Sequence, residues 1–135
     1  MDFGGINHLA IVVAAIAAFA FGAGYYGLLG KPWMKAARLK PEDLGKSPAP
    51  FIIAFVAELV MAWVLAGVIG HLGTGQVTLW NGLVSAAFLW AGFIATTLAV
   101  NHRYQGFGWD LTLIDAGHWL GVALVMGGII GWFGA

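Results

Sequence analysis

Hydrophobic positions fall into four long runs, at about 6–29, 51–72, 81–102 and 111–132. Roughly 20 helical residues cross the ~30 Å hydrocarbon layer of a bilayer, and each run reaches that length. What remains, at 30–50, 73–80 and 103–110, suffices for connecting loops. A spanning segment must satisfy its own backbone hydrogen bonds, so each run is read as a helix. The pattern predicts an all-α integral membrane protein: a single transmembrane domain over 1–135, folded as a four-helix bundle.

Small residues recur at every fourth position inside these runs. Ala14, Ala18 and Gly22 form one stripe. Ala54, Ala62, Ala66 and Gly70 form a second, with Glu58 in the vacant place. Ala87, Ala91, Ala95 and Ala99 form a third. The last run carries two, Gly117 with Gly121 and Ala123 with Gly127 and Gly131. Residues four apart share a helix face, and small faces let backbones approach closely inside a membrane. Two stripes on one helix leave one for another chain, so a homo-oligomer or a partner membrane subunit is expected beside the lipids.

The polar positions orient the bundle. Lys31, Lys35, Arg38, Lys40 and Lys46 lie between the first and second runs, and Arg103 lies between the third and fourth. The 73–80 loop has no basic residue. The positive-inside rule puts 30–50 and 103–110 in the cytoplasm, and both termini on the far side. Pro32 stands at an expected helix start, and Trp33, Met34 and Leu39 alternate with Lys35, Arg38 and Lys40. That predicts a short amphipathic interfacial helix between spans one and two, its lysines toward anionic lipid. Pro41-Glu42-Asp43-Leu44 reads as a further helical turn, with acids at its positive end.

Composition agrees with a lipid solvent. Apolar residues make up 61% and charged residues 9%, where a soluble domain carries roughly 25% charged residues. Formal net charge is zero, so no basic field attracts nucleic acid. No cysteine is present, which excludes disulfides, thiolate metal sites and a cysteine nucleophile. Asp2 is the only charge before the first run, which lacks the positive flank of a signal peptide and is read as retained.

Charges inside a membrane are costly and need a reason. Glu58 sits on the small-residue stripe of the second run. Asp115 and His118, three apart, share a face of the fourth. Thr96, Thr97, Asn101 and His102 occupy the cytoplasmic half of the third. An antiparallel bundle brings these to similar depth, which predicts a polar cluster of Glu58, Asp115, His118, Thr97 and Asn101. Three chemistries fit it: a hydrogen-bonded network fixing helix register, a proton or ion relay, and a metal site. Too few carboxylates are present for a di-iron centre, so neither metal nor cofactor is expected. His8 and His71, and Trp33, Trp80, Trp109 and Trp132, fall at span ends, where interfacial residues belong. Tyr25, Tyr26 and Tyr104 are read the same way. Ser47 and Ser85 have no evident base and no catalytic signature is visible, so no catalytic residue and no enzyme are expected.

Several segments resemble one family. They are Ile6-Asn7-His8-Leu9-Ala10, the run ending Gly22-Ala23-Gly24-Tyr25-Tyr26, Gly30-Lys31-Pro32-Trp33-Met34, Pro41-Glu42-Asp43-Leu44, Thr96-Thr97-Leu98-Ala99-Val100-Asn101 and Asp115-Ala116-Gly117-His118. The chain is similar over nearly its whole length to the domain-of-unknown-function 1761 family. The resemblance implies a small four-span protein of the bacterial inner (plasma) membrane, with no assigned activity. Asn7, Trp33, Asn101 and Asp115 match the family's pattern but bring no role, and Glu58 has no assigned place in it. The expected function is a small transporter or permeation protein with Glu58, Asp115 and His118 as its polar path. The alternative is a non-enzymatic accessory or assembly subunit that binds partner helices.

Overall fold

The computed structural model describes residues 5–135; residues 1–4, with the charge of Asp2, lie outside the described residues. Four helices are long and apolar enough to cross a membrane: α1 His8–Ala36, α2 Ala49–Gly70, α3 Leu79–Tyr104 and α4 Trp109–Phe133. They form an all-α antiparallel bundle. Helix α4 packs against all three others, with α1 and α3 as its main neighbours, while α2 lies chiefly against α1. Large apolar side chains face outward on every helix, among them Leu28, Phe51, Ile53, Phe88, Phe93 and Leu113. Such a surface suits lipid, and the chain is a multi-pass membrane protein.

The helix ends explain themselves locally. Asn7 caps α1, its Oδ1 accepting from the Ala10 amide at 3.0 Å, and Thr78 caps α3 through the Asn81 amide at 3.2 Å. At the other end of α1, Leu39 N–H donates to Met34 O and Arg38 N–H to Lys35 O. That is a Schellman closure with Arg38, at φ +58°, in the left-handed position where glycine is usual. The Arg38 side chain donates from Nη2 to Gly106 O at 2.8 Å and lies over the Phe107 ring. This ties the loop after α1 to the α3–α4 turn.

The separate amphipathic helix expected after span one does not form. Lys31 to Lys35 instead continue α1, which runs 29 residues. At 1.5 Å per residue that is ~43 Å, longer than the ~30 Å hydrocarbon layer. Pro32 lies in the last turns of α1, where its missing N–H removes one backbone hydrogen bond. The turn at Pro41–Asp43 does form, with Asp43 Oδ2 accepting from the Lys40 amide at 2.8 Å.

Close packing comes from glycine and alanine. Ala14, Ala18 and Gly22 are buried as expected, and so are Glu58, Ala62 and Ala66. Both α4 stripes are used inside this one chain. A Cβ at Gly121 would strike the Phe21 ring, and one at Gly117 would lie 2.8 Å from the Tyr25 hydroxyl. On the other face, Gly127 and Gly131 meet the backbone of Gly82, Thr78 and Leu79. In α3 the packing residues are Gly82 and Ala86, whereas Ala91 of the expected stripe is exposed.

Candidate functional site

Polar side chains gather at the end of the bundle that carries the basic loops. Asp115 and His118 share the face of α4 that meets α1, as their spacing predicts. The Tyr26 hydroxyl donates to Asp115 Oδ1 at 2.7 Å, and the Tyr25 hydroxyl donates to Ile114 O at 2.6 Å. His118 is buried, with its ring 4.7 Å from that of Tyr26, 4.8 Å from Trp119 and 5.6 Å from Tyr25. It fits because residue 22 is glycine: a Cβ there would lie 2.8 Å from His118 Nε2. His118 Nδ1 is buried with no hydrogen-bond partner among the described residues.

Helix α3 completes the cluster from the other side. His102 is buried, with Nδ1 at 2.9 Å from Thr112 Oγ1 and Nε2 at 3.6 Å from Asp115 Oδ2. Arg103 donates from Nη2 to Thr112 Oγ1 and to Gly108 O at 2.7 Å. Its guanidinium lies 3.9 Å above the Trp109 ring. Thr112 Oγ1 accepts from Arg103 and lies within hydrogen-bonding distance of His102 Nδ1. Asp115 accepts from Tyr26 on one oxygen, while His102 Nε2 approaches the other.

Two of the residues expected in the cluster are not there. Thr97 and Asn101 are exposed, and the Thr97 hydroxyl donates back to Phe93 O in its own helix. The reason is a π-helical turn in α3 at Trp90–Ala95. In an uninterrupted α-helix, Gly82 and Ala86 share a face with Thr97 and Asn101. The π turn holds one extra residue and rotates the remainder of α3 by about 100°. His102 takes the inward position instead of Asn101. Trp90, at the start of that turn, donates from Nε1 to Ala116 O at 2.8 Å.

Glu58 faces inward but stands apart. The Phe19 and Phe55 rings meet edge to face at 5.8 Å, which sets Glu58 level with about Ile16 in antiparallel register. His118 is level with Gly22, so the two groups are ~9 Å apart along the bundle at 1.5 Å per residue. The cause is the start of α2, which lies deeper than the start of α4. Glu58 is 2% exposed, and its Oε2 has no hydrogen-bond partner among the described residues.

Sequence reasoning assigned Tyr25 and Tyr26 to the interface, left His102 out of the cluster and gave Thr112 and Arg103 no role in it. For Tyr26 a signal existed: it is the next fourth position on the Ala14–Ala18–Gly22 stripe. Among the described residues, no three His, Asp or Glu side chains converge to hold a metal ion.

A cavity of about 490 Å³ opens at the opposite end of the bundle, bordered by Asn7, Gly67, His71, Thr74 and Ile130. His71 Nδ1 lies 2.7 Å from Gly67 O. Facing a carbonyl oxygen, Nδ1 is the donor of that pair. The cavity reaches down α2 to Ala66, two turns short of Glu58.

No curated protein and no solved structure matches the chain. One family does, described as protein of unknown function (DUF1761), over residues 9–131. That stretch holds nearly all of the four helices, and the chain belongs to the DUF1761 family.

Proposed function

We propose that this protein is a small permeation protein of a bacterial inner membrane that passes protons along its bundle, and is not an enzyme. The observation that carries this reading is the run of neighbouring polar groups Arg103–Thr112–His102–Asp115–Tyr26. It leads from the basic end to His118 and its unpartnered Nδ1. Ionisable groups at membrane depth are expensive and mark ion pathways and proton relays. Imidazole, carboxylate and phenol are each able to accept or pass a proton, and the loose 3.6 Å His102–Asp115 approach leaves that pair free to reorganise. The cavity at the opposite end supports a route from the other side. With basic loops inward, the cluster faces the cytoplasm and the cavity faces the periplasm.

The test is proton flux into vesicles reconstituted with the purified chain, driven by a potassium potential and read with an internal pH dye. Asp115→Asn and His102→Ala are expected to slow flux by roughly 10²-fold, the lower end of what a positioned proton-transfer group contributes. A wild-type rate no higher than that of empty vesicles overturns the reading.

One observation favours a second reading, an accessory protein that binds a partner helix or a second copy. Helix α3 turns Gly92, Thr97 and Asn101 outward, and its spanning window is only 6% buried. Cross-linking from position 101 in native membranes tests it: a discrete partner supports it, and capture of lipid alone removes it.

A further inference from the structure

We propose that Glu58 is a proton-binding site in the core of the bundle, one that takes no metal or alkali cation. It rests on the permeation reading only for the use made of the proton; the site itself stands on its surroundings.

Glu58 shares the inward face of α2 with Ala62, Leu65, Ala66 and Ile69, all buried. At its level α1 presents the buried Ala14, Ala15 and Ala18. Titratable side chains on the packed elements all lie elsewhere along the bundle. Tyr25 and Tyr26 of α1, Asp115 and His118 of α4 and His102 of α3 sit toward the basic end. His71 of α2 sits at the opposite end. Nothing cationic among the described residues pairs with Glu58, the one ion pair found there being that of His102 with Asp115. An ionised carboxyl left alone in apolar surroundings is far costlier than a neutral one.

A metal or alkali ion does not fit the same place. Calcium takes about 6–8 oxygen ligands and magnesium demands a near-complete octahedron of them. The buried residues on the Glu58 face of α2 are alanine, leucine and isoleucine, those of α1 at its level are alanine, and the backbone carbonyls of both helices are committed to helical hydrogen bonds. The proton is the one cation that needs no further ligand. The position also suits passage: the cavity floor at Ala66 is ~12 Å away by helical rise and His118 ~9 Å, with Glu58 between them. Glu42, Asp43, Asp110 and Asp115, the other described acidic side chains, all belong to the basic end.

The chain has just two glutamates, Glu42 in the first loop and Glu58, which makes infrared spectroscopy decisive. The full chain is reconstituted in lipid with isotope-labelled glutamate carboxyls. At neutral pH the carbonyl stretch of a protonated carboxyl is expected. It should shift with the label, persist in Glu42→Gln, vanish in Glu58→Gln and be unchanged by sodium, potassium or calcium. Absence of a label-sensitive band overturns the proposal, and so does its loss on adding any of those cations. Should Glu58→Gln fail to fold, the labelled wild type and Glu42→Gln decide the matter alone. A preparation with the band but no flux supports this site and overturns only the permeation reading. Flux without the band does the reverse.

Discussion

Along the second half of α4, Gly127 and Gly131 press onto the backbone of α3 at Thr78, Leu79 and Gly82. Along its first half, α4 meets α1 and α3 through side chains: Asp115 with Tyr26 and His102, and His118 in its nest of rings. One helix therefore uses two kinds of interface. The glycine half meets α3 backbone to backbone and leaves no space for a side chain between the two helices. The basic half is spaced by aromatic and polar side chains and has groups that exchange hydrogen bonds. Inside a membrane no hydrophobic effect drives helices together, so backbone-close packing supplies cohesion. The polar half borrows that cohesion, and it is where chemistry has room.

Matched Gly→Ala substitutions in the two halves sharpen this contrast. At Gly82 the new methyl overlaps the Gly127 carbonyl, which belongs to a helix backbone and cannot turn aside. A loss of about 3 kcal/mol is expected for Gly82→Ala, at the upper end of overpacking costs. At Gly22 the methyl meets the tip of His118, 2.8 Å away, and that side chain can rotate. About 1 kcal/mol is expected for Gly22→Ala, together with a slowed flux because His118 has moved. Reversible unfolding in mixed micelles reads both. Equal losses at the two sites would break the distinction between a backbone-packed half and a side-chain-packed half.

The four spans were legible because lipid enforces length and composition, and residue order alone records both. Asp115 and His118 were legible as a pair because three residues make nearly one turn of any helix. Asn101 was misplaced in favour of His102 because the π turn at Trp90–Ala95 has no clear signature in Trp-Ala-Gly-Phe-Ile-Ala. The expected Ala87–Ala91–Ala95–Ala99 stripe failed alongside it: regular spacing was assumed across an irregular turn. Glu58 was read at the depth of Asp115 because both were counted from the starts of their spans. The starts lie at different levels, and only the Phe19–Phe55 contact reveals it. The Pro32 misreading has another source, since a proline that begins one helix and a proline near the end of another look alike in sequence.

The π turn offers the next test of the comparison. Deleting the exposed Ala91 removes the extra residue and restores an α-helical repeat. Everything beyond it rotates back by about 100°, turning Asn101 inward and His102 out. The glycine contacts at Gly82 precede the deletion, so the glycine half should be untouched and helix content retained. Proton flux is expected to fall by roughly 10²-fold, the lower end of what a positioned proton-transfer group contributes. Flux at the wild-type rate in a folded deletion variant would show that His102 is dispensable and that register in α3 serves packing alone.

Thr97→Ala and Asn101→Ala carry the smallest expected effect and guard against a general sensitivity of α3. Both residues face outward, and the Thr97 hydroxyl is satisfied by Phe93 O within its own turn. Removing it takes away a donor and its local bond together, leaving an acceptor that still has its helical partner. A stability change under about 0.5 kcal/mol is expected for each, as at surface sites away from packed features, with flux unchanged. A large flux loss at Thr97 would place a transfer group on the lipid-facing side and undo the contrast between the two halves of α4. A change in assembly size at Asn101, with flux intact, would instead identify the outer face of α3 as an interface, with Asn101 hydrogen-bonding to a neighbouring helix rather than facing lipid.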